Sequence, residues 1–95
     1  MPALKGAVTG VTRTLCRKFG RDGVRVHCVQ TGLLDLPEVR EFTGPELRAV
    51  KVPIGRWGRA EDVAKLVAFL VLRNRYMTGQ VVILDGGLTS GLTGT

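Results

Sequence analysis

Few of the 95 residues are of types that make or break bonds, and they are scattered: one Ser (Ser90), one His (His27), one Tyr (Tyr76) and two Cys (Cys16 and Cys28). Ser90 and His27, with Asp85 or Asp35, hold the residue types of a hydrolase triad, in which an imidazole takes the proton of an attacking hydroxyl and a carboxylate orients the ring. Nothing like a G-x-S-x-G turn surrounds Ser90, which stands in the small polar tail "LTSGLTGT", where a hydroxyl is ordinarily solvated. The hydrolase using Ser90 and His27 is therefore a remote alternative. One His cannot by itself supply a zinc site, and two Cys so far apart in sequence form no metal motif, so no metal centre is expected and both thiols read as reduced core residues. His27 reads as a polar or interface residue rather than a base, and Lys5 by itself as an exposed ammonium near a helix start.

The elements that must position these residues follow from periodicity. Leu4, Ala7, Val8, Val11, Leu15 and Phe19 recur at steps of three and four, which predicts an amphipathic helix from Ala3 to about Phe19, stopped by Gly20 and tolerating Pro2 in its first turn. "VRVHCVQ" alternates, with Val24, Val26 and Cys28 on one side and Arg25 and His27 on the other, which predicts a strand. The stretch 31–58 carries three Pro and four Gly and suits a long connection with one or two short helical turns. "AEDVAKLVAFLVL" repeats the helical signal, with Glu61 and Asp62 in its first turn. "GQVVILDGG" is a continuous β-branched run, the pattern of a strand buried on both faces in a parallel sheet. Residues 89–95 are expected to form a flexible tail.

A helix, a strand, a long crossover with a helix, and a second strand describe an α/β chain containing a right-handed βαβ unit. Two parallel strands are marginal alone and leave an unpaired apolar edge, so the sheet is expected to be completed by self-association or by further residues. Composition agrees: 44% hydrophobic residues in a short chain imply a thin core and apolar surface left for a partner. The net charge of +6 permits loose attraction to polyanions, yet the cations form no block and no aromatic residues are interleaved for stacking, so a nucleic-acid surface is not expected. Arg13, Arg17, Lys18, Arg21 and Arg25 instead complement the end of the first helix. The longest apolar run, "VAFLVL", falls far short of the roughly 20 residues of a membrane span, which leads to the expectation of a soluble cytoplasmic protein with no membrane partner.

Four ordered motifs, Lys5 with "GAVTGVTRTL", then "GVRVHCVQTG", "VPIGRWGRAEDVAKLVAFL" and "MTGQVVILDGG", resemble the C-terminal part of the short-chain dehydrogenase/reductase family over roughly residues 3 to 87. The resemblance implies a partial Rossmann-like, three-layer α/β unit over residues 1–88. It also implies an oxidoreductase that uses NAD or NADP to move a hydride to or from a carbonyl or alcohol carbon. Lys5 matches the family's Lys, which lowers the pKa of a Tyr hydroxyl four positions earlier and holds the nicotinamide ribose; that position is Met1 here. No G-x-G-x-x-G turn follows a strand in this sequence.

The family's Asn, Pro-Gly and Thr positions after the first strand look like His27, Thr31-Gly32 and Asp35, and an Asp facing a pyrophosphate would repel it. Lys5, Thr31, Gly32 and Leu33 are thus the residual cofactor-binding set, with Lys5 the catalytic candidate. The chain is expected to be truncated, to bind no cofactor alone and not to be catalytic alone. Self-association as a dimer or tetramer is implied by the family's helix contacts, and a complementing polypeptide is a possible partner. A non-catalytic, self-associating structural or binding module is the alternative. Tyr76 and Trp57 are read as packing residues.

Overall fold

A computed structural model describes residues 2–90 of the chain. Its elements are α1 (Pro2–Phe19), β1 (Cys28–Thr31), α2 (Pro37–Glu41), α3 (Pro45–Arg48), α4 (Ala60–Ala68) and β2 (Val81–Leu84). A 3-10 turn at Gly20–Asp22 follows α1, and a π-helical turn at Phe69–Arg73 follows α4. The chain divides into two compact units, Met1–Gln30 with Asn74–Val82, and Thr31–Arg73 with Ile83–Thr95. β1 and β2 pair as a two-stranded parallel sheet, as the βαβ pattern predicts.

In the first unit, α1 turns inward a face other than its apolar stripe. Thr12 is buried and Thr9 and Cys16 are half-buried, spaced by three and four residues. Thr12 can be buried because its hydroxyl donates to the Val8 carbonyl at 2.7 Å, so no polar group is left unpaired. Val8, Val11, Leu15 and Phe19 stay 37–57% exposed. The helix does not stop at Gly20: it tightens by one 3-10 turn, and Gly23 ends it in the left-handed region at φ 78°. β1 is shorter than the alternation predicts, because ladder pairing begins only where the Cys28 N–H donates to the Gln80 carbonyl at 2.9 Å. Ahead of it, Val26 is tied by the Thr78 hydroxyl (3.0 Å) and by the Gly79 N–H (2.7 Å).

The second unit carries the crossover. Pro37 and Pro45 open α2 and α3 at positions where a missing N–H costs nothing, and Leu36 and Gly44 before them are extended, as a residue preceding Pro prefers. α4 begins with a reciprocal cap: the Asp62 carboxylate accepts from the Arg59 N–H at 2.8 Å, and the Asp62 N–H donates back to the Arg59 carbonyl at 3.0 Å. Arg56 forks onto the same carboxylate at 2.8 and 3.1 Å. Leu70 is the apolar side chain classed as buried among the described residues. β2 departs from the expected double burial, since Ile83 is 50% exposed, with nothing among the described residues to cover that face fully. Of the tail, Thr89 and Ser90 fold back onto the Asp85–Gly87 turn, and residues 91–95 lie outside the described residues.

Gly79 sits at φ +73°, and a Cβ there would lie 2.7 Å from Cys16 Sγ. Gly79→Ala is expected to destabilise the chain by about 1–3 kcal/mol in denaturant unfolding. Adding Cys16→Ala removes the sulfur but not the backbone strain, so the double variant should recover only part of the loss. Hydrogen bonding from Arg56 and from the Arg59 N–H lowers the Asp62 carboxyl from 3.8 to about 2. Because the folded value is depressed, its contribution is fully present above about pH 4 and is lost as pH falls through about 2. Asp62→Asn should therefore increase amide exchange at the start of α4 near neutral pH, with the difference from the natural chain vanishing below pH 2.

Candidate functional site

The carboxyl ends of parallel strands are where open α/β sheets bind ligands, since the loops leaving them diverge into a crevice. Here that edge belongs to the second unit. The Gly32 N–H donates to the Leu84 carbonyl at 3.0 Å, just past the ends of β1 and β2. A Cβ on Gly32 would stand 2.7 Å from the Asp85 Cβ and 2.9 Å from its Cα, so only Gly lets the two strand ends approach this closely. Leu34 then bridges to Gly58 in parallel, with the Gly58 N–H donating to the Leu33 carbonyl at 2.8 Å and the Asp35 N–H to the Gly58 carbonyl at 2.7 Å. A cavity of about 260 Å³ opens at these ends, lined among others by Leu33, Arg56, Lys65, Leu84 and Asp85.

Asp62 and Asp85 line this crevice and Asp35 stands on the loop leaving β1; Asp62 and Asp35 are ion-paired with arginines, while Asp85 keeps its charge and is held by hydrogen bonds. Asp85 accepts from the Thr89 hydroxyl (2.7 Å), the Thr89 N–H (3.0 Å) and the Gly87 N–H (2.9 Å), and these bonds, the hydroxyl first, hold its carboxyl below the usual range. Asp35 receives a two-nitrogen fork from Arg40, through Nε and, at 2.7 Å, Nη2, which lowers the Asp35 pKa and raises that of Arg40. Arg40 compensates the Asp35 charge that the sequence sets near a pyrophosphate. The strand-end crevice offers apolar lining from Leu33, Leu34 and Ile54 and a cation from Lys65, a lining that fits the nicotinamide end of a dinucleotide.

Of the predicted site residues, Leu33 is half-buried and lines the strand-end crevice with Leu84 and Asp85, Gly32 is half-buried against Asp85, and Thr31 is exposed at the last position of β1. Lys5 is exposed near the start of α1, in the first unit. The hydrolase pieces are otherwise engaged. The Ser90 hydroxyl donates to the Gly87 carbonyl at 2.6 Å, and His27 Nε2 lies 3.3 Å from Asn74 Nδ2. Since Asn74 Oδ1 accepts from the Met77 and Tyr76 N–H groups, its amide nitrogen faces the ring, so Nε2 accepts and the neutral ring carries its proton on Nδ1. That Nδ1 is buried without a hydrogen-bond partner. Tyr76 is 99% exposed and packs against none of the described residues, contrary to its reading as a packing residue.

A second cavity, about 460 Å³, was not foreseen: Asp35, Arg40, Thr43, Arg48 and Trp57 line it. The Arg48 Nη2 donates to the Arg40 carbonyl at 3.3 Å, which swings a guanidinium back from α3 to the end of α2. The one usable signal was Trp57, the single Trp of the chain, among glycines and arginines.

The sequence matches the family described as enoyl-(acyl carrier protein) reductase over residues 1–89. It is 42% identical over 94 residues to a tropinone reductase homolog of Arabidopsis thaliana, covering 92% of this chain and 35% of that protein. The fold is similar to a short-chain type dehydrogenase/reductase from Mycobacterium ulcerans, with a TM-score of 0.82 and 33% identity over 90% of this chain and 33% of that one. A protein from Agrobacterium tumefaciens solved with bound NADP superposes with a TM-score of 0.81 at 27% identity, over 93% of this chain and 38% of that one. The chain spans about a third of the length of the curated relatives it matches. On the family match, the strand-end geometry and these likenesses together, the chain belongs to the short-chain dehydrogenase/reductase family.

Proposed function

We propose that residues 1–95 supply the carboxyl-edge part of an NAD(P)-dependent oxidoreductase site. The Tyr hydroxyl and the phosphate-binding turn would come from polypeptide outside them, in a cytoplasmic assembly. The observation that carries this reading is the contact between Gly32 and Asp85, which holds two parallel strand ends together beside the crevice that Leu33, Leu84 and Asp85 line. The nicotinamide, when bound, supplies or accepts the hydride. Lys5 would place its ammonium against the ribose and the Tyr hydroxyl, favouring the phenolate and so easing proton transfer to or from the substrate oxygen. Thr31 and Leu33 would flank the nicotinamide, with Gly32 holding the strand end against Asp85. The NADP-bound relative in structure supports NADP as the coenzyme. In this reading the chain alone binds no cofactor and turns nothing over.

A specific observation also favours self-association as a dimer or tetramer. Val8, Val11, Leu15 and Phe19 form one exposed apolar stripe along α1, a surface that monomeric proteins rarely leave in water. The alternative of a non-catalytic self-associating module shares this stripe and differs only in lacking cofactor-dependent chemistry.

Mixing the chain with the N-terminal two-thirds of the Arabidopsis relative tests the oxidoreductase reading. The mixture should bind NADPH by calorimetry and reduce a reactive carbonyl, neither part doing so alone, and Lys5→Met should lower the rate by about 100-fold or more. Activity indifferent to Lys5→Met, or no activity from a formed complex, would favour the module. Sedimentation equilibrium at micromolar concentration should give a defined oligomer that Val11→Asp converts to monomer; a folded monomer of the natural chain would refute self-association.

A further inference from the structure

The second cavity has a charge balance that selects its ligand. Asp35 and Arg40 neutralise each other through the two-nitrogen fork. Arg48 donates to the neutral Arg40 carbonyl and is ion-paired with no carboxylate among the described residues, Asp35 in the same lining being held by Arg40. The lining of Asp35, Arg40 and Arg48 therefore sums to one positive charge carried by Arg48, whose remaining N–H groups have no protein partner there. Thr43, the buried member of the lining, spends its hydroxyl proton on the Val39 carbonyl and offers nothing to compete with an incoming anion. Trp57, half-buried, supplies an apolar ring on the same cavity. Its volume of about 460 Å³ suits a small organic molecule.

We infer that this cavity binds the carboxylate of a small organic acid on the Arg48 guanidinium, with the acid's apolar body against Trp57. The ligand class is a small monocarboxylic acid with an apolar body. A monoanion matches the single uncompensated charge, whereas a phosphate dianion would leave one negative charge unmatched beside Asp35. A guanidinium also presents paired donors that a planar carboxylate meets two at a time, as Arg40 already does with Asp35 in the same lining.

Because Trp57 is the single Trp, the fluorescence of the whole chain reports from this cavity. Titration with 3-phenylpropionate should give a saturable change. 3-Phenylpropionamide, equal in shape but uncharged, should bind about 10-fold or more weakly. Arg48→Gln, with an unchanged far-ultraviolet circular dichroism spectrum, should remove the preference for the acid. Equal binding of acid and amide by the natural chain, needing no variant, would overturn the proposal; so would an acid preference untouched by Arg48→Gln, or tighter binding of phenyl phosphate than of the acid. The two readings fail separately. Lost acid selectivity alongside NADPH-dependent reduction in the mixed complex refutes the carboxylate cavity alone, and acid-selective binding without such reduction refutes the oxidoreductase reading while the cavity stands.

Discussion

The parallel pairing of Cys28–Thr31 with Val81–Leu84 is the constraint from which the other features follow. Val26 and Thr78, joined just ahead of the ladder, are 52 positions apart, and closing a loop of that length costs roughly 3–4 kcal/mol of chain entropy. A two-strand ladder returns little of this by itself. The rest comes from what the pairing draws together: the turn built on Asn74, the close approach of Cys16 to Gly79, and, at the other end, the approach of Gly32 to Asp85. Parallel strands also compel a long crossover, and that crossover brings α2, α3 and Trp57 into the chain between them. The ladder thus dictates both where a crevice opens and which loop supplies its neighbours.

The shortage of core is the second consequence. A helix with a well-formed apolar stripe ordinarily buries it, yet α1 packs through Thr9, Thr12 and Cys16 and leaves Val8, Val11, Leu15 and Phe19 outside. Small side chains and a hydroxyl satisfied within its own helix allow close approach to the Gly79 backbone, which a Val or Leu stripe would prevent. The helix has two working faces, one for its own unit and one unclaimed. Ile83 on β2, 50% exposed, is a further apolar position that the described residues leave uncovered.

Periodicity made the helices and strands legible, and it failed where a side chain outweighed it. The apolar spacing of α1 and the β-branched run of β2 locate both elements closely. Gly20 was a poorer stop than Gly23, because a 3-10 turn satisfies the last carbonyls before a left-handed residue is needed. The alternation of "VRVHCVQ" ran ahead of the ladder, since Val26 bonds a Thr hydroxyl in place of a neighbouring strand. Gly32 was readable as a site of close approach, although the group that approaches is Asp85 rather than a ligand. Nothing in the sequence announced the Asp35–Arg40 pair or the return of Arg48 to the Arg40 carbonyl, because partners five and eight positions apart across two proline-started turns follow no regular period.

The distribution of charge at the strand ends explains how this edge could serve an anionic nucleotide despite its acidic residues. An uncompensated carboxylate within a few ångströms of a phosphate repels it strongly in a crevice shielded from water. Asp35 avoids this through a guanidinium, whereas Asp85 keeps its charge and spends its lone pairs on hydroxyl and backbone donors of its own turn. Each carboxylate then acts as a brace: Asp85 shapes the turn that meets Gly32, and Asp35 fastens α2 to the loop leaving β1. Fastening α2 brings the Arg40 carbonyl to where Arg48 can use it, so the ion pair both cancels a negative charge in the cavity it lines and orients the guanidinium beside it.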